Sequence, residues 1–137
     1  MKYNVKDIVY VENYTYKNGS KGKNHNFVIV ENGKAIDIDY YGLLMSSKIE
    51  KANFPYNVLI PKNEMNRLRK DSIVKCDDLI NIEEKEIKFK IGEVTDNDLD
   101  EFLKRFEKYT KAIKLIDYKS SQEVNQDIAD NKNILKP

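Results

Sequence analysis

The pattern of apolar and polar residues gives short strand-like runs before Thr95, and only after it does a helical period take over. Ile8–Glu12 is a β-rich run, followed by a polar loop, Tyr14–Asn24, that carries Gly19, Ser20 and Gly22. Phe27–Val30 predicts a second strand, and Asn32-Gly33 reads as a two-residue hairpin turn. Lys34–Asp39 then alternates strictly, with Ile36 and Ile38 on one face and Asp37 and Asp39 on the other. Tyr40–Met45 continues as a mostly apolar strand. Lys48–Phe54 is a connection closed by Pro55, and Tyr56–Ile60 is the next strand. Pro61–Arg69 predicts a short helix or turn before the strand Ser72–Cys76. Glu83–Lys88 offers a helical turn or two ahead of an edge-like strand, Phe89–Val94.

Thr95 opens a helix. Asp98 stands three residues on, and Asp96, Asp98 and Asp100 favour the positive N-terminal end. Leu99, Phe102, Leu103, Phe106, Tyr109, Ile113 and Ile116 form an apolar stripe over about five turns. That stripe must pack on the sheet. The expected class is therefore mainly β with a C-terminal helix (α+β), a barrel with a helix on it and not a sandwich. Residues 1–118 form the expected single domain, and the polar stretch 119–137 reads as a mobile or partly helical tail that folding does not need.

Composition narrows the function classes. A length of 137 residues suits one domain with one real core, and 34% charged residues suit a soluble, cytoplasmic protein. No apolar run approaches the ~20 residues that span a bilayer, and the N-terminus carries no apolar signal core, so no membrane role is expected. A single cysteine excludes an internal disulfide, and Cys76 with one histidine does not make a zinc site, so neither metal nor other cofactor is expected. The net charge of +1 conceals a polarity: residues 1–75 hold 13 Lys/Arg against 8 Asp/Glu, and residues 76–137 hold 11 against 15. Between Asn13 and Val30 there is no acid, only Lys17, Lys21, Lys23 and His25. This footprint is too small for a duplex-coating protein and suits a short single strand of a few phosphates.

The strand Ser72–Cys76 sets Lys75 and Asp77 on one face and Val74 and Cys76 on the other, and it ends in the carboxylate pair Asp77-Asp78. In its context this stretch, "LRKDSIVKCDDL" (Leu68–Leu79), resembles the strand of the MazF/PemK-type toxins, in which Leu-x-Lys-Asp-Ser leads to a basic residue, a small residue and an Asp. "KNHNFVIV" (Lys23–Val30) is similar to the family's Gly-x-Arg-Pro with its apolar strand, and "LLMSSKI" (Leu43–Ile49) to its strand ending in a hydroxyl, a small residue and a basic residue. "TDNDLDEFLKRF" (Thr95–Phe106) resembles its acid-capped C-terminal helix. The order and spacing match from about Val5 to Leu115.

The resemblance implies a small SH3-like barrel, a homodimer, and a metal-independent endoribonuclease that cuts single-stranded RNA through a 2′,3′-cyclic phosphate and is opposed by a cognate antitoxin. Cleavage without metal needs a base for the 2′-OH, an acid for the leaving 5′ oxygen and cations at the phosphorane. His25, the only histidine, stands at the family's catalytic Arg, with Asn26 in place of the Pro after it; a slip of the alignment would bring Lys23 there instead. Ser46 takes the place of the family's hydroxyl, and Asp77, or its neighbour Asp78, that of an aspartate found in part of the family. Lys21, Lys23, Lys48 and Lys75 can supply charge, and Tyr14 and Tyr16 in the basic loop can stack on bases. Two other readings stand beside this one: a barrel of the same class that binds a protein, as gyrase-poison toxins do, and a nucleic-acid-binding regulatory module.

Overall fold

The structure is a computed structural model that describes residues 2–14, 19, 22, 24–35 and 38–131. Six strands form one antiparallel sheet: β1 (Asp7–Val11), β2 (His25–Ala35), β3 (Ile38–Ser46), β4 (Asn57–Ile60), β5 (Ser72–Ile82) and β6 (Ile87–Glu93). Short 3₁₀ turns, Ile49–Lys51 and Glu84–Glu86, precede β4 and β6, and a single helix, α1 (Asp96–Asn131), closes the chain. The strand order is β4-β5-β3-β2-β1-β6. Among the described residues β4 and β6 do not pair with each other, so the sheet is curled towards a barrel without closing.

Period-two alternation buries both faces of this sheet. Val28, Val30, Leu43, Met45 and Val74 share one cluster with Phe102 of α1, while Phe27, Ile29, Leu44 and Ile80 share the other with Tyr3 and Tyr40. Phe102 is fully buried, and Cys76 lies on the same side as apolar filler. The helix starts where its capping residues demand: Asp98 N–H donates to Thr95 Oγ1 at 3.0 Å, and Thr95 N–H donates to Asp98 Oδ2 at 3.2 Å.

Three features depart from the sequence expectations. Asn32-Gly33 is not the hairpin turn. β2 runs on to Ala35, with Asn32 opposite Tyr40 and Ala35 opposite Ile38, so Lys34 lies in β2 and no separate strand begins there. A Cβ on Gly33 would fall 1.7 Å from the Ile38 carbonyl oxygen, so glycine here permits a close backbone crossing in an irregular stretch of the ladder. β5 does not end at Cys76 either. It bends where Leu44 alone faces Lys75–Asp78, and resumes with Leu79 opposite Leu43. Its first half pairs with β4, its second only with β3. α1 continues past Tyr118 to Asn131, well into the stretch expected to be a tail.

Candidate functional site

The antiparallel ladder explains how residues from three separate segments meet. Phe27 pairs with Leu44, and continuing that register by two residues sets His25 beside Ser46. Ser46 in turn pairs with Ile73, which brings Ser72 at the start of β5 to the same end of the sheet. A cavity of about 280 Å³ opens over these three strand ends, lined by Asn24–Asn26, Met45–Lys48 and Ser72. His25, Ser46 and Lys48, three of the sequence candidates, are thereby gathered in one place.

His25 is half-buried and opens β2, opposite Val11, directly after the loop Tyr14–Asn24. Its ring meets Tyr14 edge-on at 6.0 Å and Phe27 at 6.3 Å. Tyr14, the described aromatic of the basic loop, therefore packs on the histidine. The backbone N–H of Lys48 donates to Ser46 Oγ at 3.1 Å, which leaves the Ser46 proton available to a ligand oxygen. Ser72 is buried and donates its hydroxyl to the Lys70 carbonyl at 3.0 Å.

A second, larger cavity of about 780 Å³ shares Asn26, Ser47 and Ser72 with the first. It runs between the loop that precedes β5, with Arg67, Arg69 and Lys70, and the edge formed by Tyr10 of β1 and Phe89 and Lys90 of β6. Arg67, at φ +55°, is held by the residue before it. Asn66 is buried, accepts from the N–H groups of Asn63 and Leu68 at 2.9 and 3.1 Å, and donates to the Pro61 carbonyl at 2.9 Å. The loop is also pinned to β6, because Glu93 N–H donates to the Met65 carbonyl at 3.1 Å and a Cβ on Gly92 would fall 2.3 Å from the Asn66 carbonyl oxygen.

The charges around this groove are unequal in their freedom. Lys90 bridges Asp7 at 3.2 Å and Glu93 at 3.3 Å, and the hydrogen bond to the buried Asp7 carboxylate raises its pKa. Glu12 on the rim reaches Lys88 at 3.9 Å. Arg67, Arg69 and Lys70 form no ion pair with the described residues, so these three are open to an anionic ligand. No group of three or more His, Cys, Asp or Glu that could hold a metal ion occurs among the described residues, and no described helix is long and apolar enough to cross a membrane.

Lys75 and Asp77 line neither cavity; both sit half-buried at the bend of β5. Burial pushes the Cys76 thiol between them up to about 12, so it stays a neutral thiol at ordinary pH. Lys21, Lys23 and Tyr16 lie outside the described residues. What the sequence reading passed over is the basic run Arg67-Leu68-Arg69-Lys70 and the hydroxyl of Ser72. Three cations within four residues were visible in the chain, but their position beside β1 and β6 depends on strand pairings distant in sequence.

Compared with known protein families, residues 4–110 match the one described as PemK-like, MazF-like toxin of type II toxin–antitoxin system. The comparison with curated proteins gives no match.

Proposed function

This chain belongs to the PemK-like, MazF-like toxins of type II toxin–antitoxin systems, and on that basis we propose that it is a cytoplasmic, metal-independent endoribonuclease acting on single-stranded RNA. Membership in such a system implies an antitoxin as partner. The observation that carries the enzymatic reading is the meeting of His25, Ser46 and Lys48 around one cavity at the sheet's end.

Each group suits a different task in cleavage through a 2′,3′-cyclic phosphate. An imidazole titrates near neutrality and can take the 2′-OH proton or protonate the departing 5′ oxygen. The Ser46 hydroxyl, already anchored as an acceptor by Lys48 N–H, can donate to a non-bridging phosphate oxygen. The Lys48 ammonium supplies positive charge where the phosphorane gains negative charge. In this reaction the attacking oxygen comes from the RNA itself, so the protein needs no covalent nucleophile.

The test is direct. Purified protein incubated with mixed-sequence single-stranded RNA in excess EDTA should yield fragments with 5′-OH ends. Cleavage that depends on added Mg²⁺, or no cleavage at high protein concentration, would favour the protein-binding reading of the same fold. We further propose a homodimer, since the unpaired edges of β4 and β6 are sites that an isologous contact can cover. A monomer in sedimentation at micromolar concentration would contradict that part.

A further inference from the structure

Resting on the ribonuclease reading, we propose that the larger groove is an accessory binding track for the RNA beside the scissile phosphate, with a base stacked on Phe89 and phosphates held by Arg67 and Arg69. Phe89 is an aromatic ring left 52% exposed on an edge strand. Tyr10 from β1 stacks on it, with ring centroids 4.9 Å apart and planes 18° from parallel. A ring backed in this way by a second ring is a rigid, flat platform, and every base offers it a π-face whatever its identity.

The surroundings distinguish this platform from an ordinary surface aromatic. Arg67, Arg69 and Lys70 face it across the same cavity and are unpaired among the described residues. A planar aromatic opposite open cations is the composition that single-stranded nucleic acid requires, a stack for the base and charge for the backbone. Continuity supplies the direction. Asn26, Ser47 and Ser72 line both cavities, so a strand with its scissile phosphate at His25 and Ser46 passes directly into the groove. The buried Asn66 fixes the loop bearing the arginines, so the track exists before the ligand arrives.

Binding can be measured apart from cleavage with a fluorescein-labelled, fully 2′-O-methylated octanucleotide of mixed sequence, which lacks the attacking hydroxyl. In fluorescence anisotropy, Phe89→Ala should weaken binding roughly 5- to 150-fold, the range of a lost base stack, while Phe89→Tyr stays near the parent. Arg67→Ala with Arg69→Ala should reduce the slope of log K against log salt by about 1.4, as expected for two lost phosphate contacts to a single strand. All three positions are exposed, and a thermal melt of each variant checks the fold. Parental affinity in Phe89→Ala and in the double variant would overturn the proposal. So would variants that bind the octanucleotide normally but lose the antitoxin, because the groove would then belong to a protein partner. If the parent binds the modified octanucleotide through Phe89 yet leaves the unmodified one uncut, the ribonuclease reading fails and the track stands.

Discussion

Replacing Asn66 by Ala tests whether one buried side chain holds the loop that carries Arg67, Arg69 and Lys70. Asn66 is 2% exposed. Its amide accepts from two backbone N–H groups, at 2.9 and 3.1 Å, and donates to the Pro61 carbonyl at 2.9 Å. Alanine deletes all three bonds at once. The Leu68 N–H is buried and would be left without its acceptor, whereas the Asn63 N–H and Pro61 carbonyl are nearer to water. At about 1–3 kcal/mol for a buried unmade bond and about 0.5–1.5 for each of the others, the loss sums to roughly 2–6 kcal/mol. For a chain of this length each kcal/mol moves the melting midpoint by about 3–5 °C, so the midpoint should fall by roughly 6–30 °C. Urea unfolding followed by far-UV circular dichroism should show the midpoint moving at unchanged slope. Asn66→Asp keeps an acceptor but sets a carboxylate oxygen against the Pro61 carbonyl, and should also destabilise. A midpoint for Asn66→Ala within about 3 °C of the parent would refute the reasoning, since the loop would then be held by its neighbours.

Two further outcomes follow from the same structure. Tyr40 is fully buried, donates to Glu84 at 2.7 Å and accepts from Tyr3 N–H at 3.0 Å, and burial pushes its pKa up to about 12. A raised folded pKa means stability that is complete below the ordinary value near 10 and is lost as pH rises towards 12, so alkaline unfolding should be steeper in the parent than in Tyr40→Phe; equal slopes would contradict it. Truncation after Lys119 removes the last part of α1 beyond the apolar stripe and should leave the melting midpoint unchanged within error, whereas a fall of about 4–8 °C would show that this segment packs.

Signals contained within a few residues of one another were legible in the chain. Thr95 and Asp98 announce the helix start, and the hydrogen bonds between them are present. The strand signals at Ile8–Glu12 and Phe27–Val30 coincide with most of β1 and with part of β2, where Phe27 and Ile29 join one cluster and Val28 and Val30 the other. Signals that depend on a partner strand were not. Asn32-Gly33 has the chemistry of a turn, yet the ladder continues through it because Tyr40 and Ile38 are there to pair. Asp77-Asp78 reads as a strand end, yet β5 absorbs both in a bend because Leu79, Ile80 and Ile82 resume the pattern against β3. The site divides in the same way. His25, Ser46 and Lys48 were named from the chain and lie together, whereas Lys75 and Asp77 were named for their position on a strand whose bend sets them outside the cavities.

The single-turnover cleavage rate of His25→Ala measures most directly whether His25 moves a proton at the reacting phosphate. With saturating protein, single-stranded RNA and excess EDTA, the variant should cleave about 10²- to 10⁴-fold more slowly than the parent. Binding of the uncleavable octanucleotide should be nearly unchanged, which separates proton transfer from recognition. A His25→Ala protein that cuts RNA at the parental rate would contradict the account, and loss of cleavage in Lys23→Ala alone would move the chemistry to the basic loop.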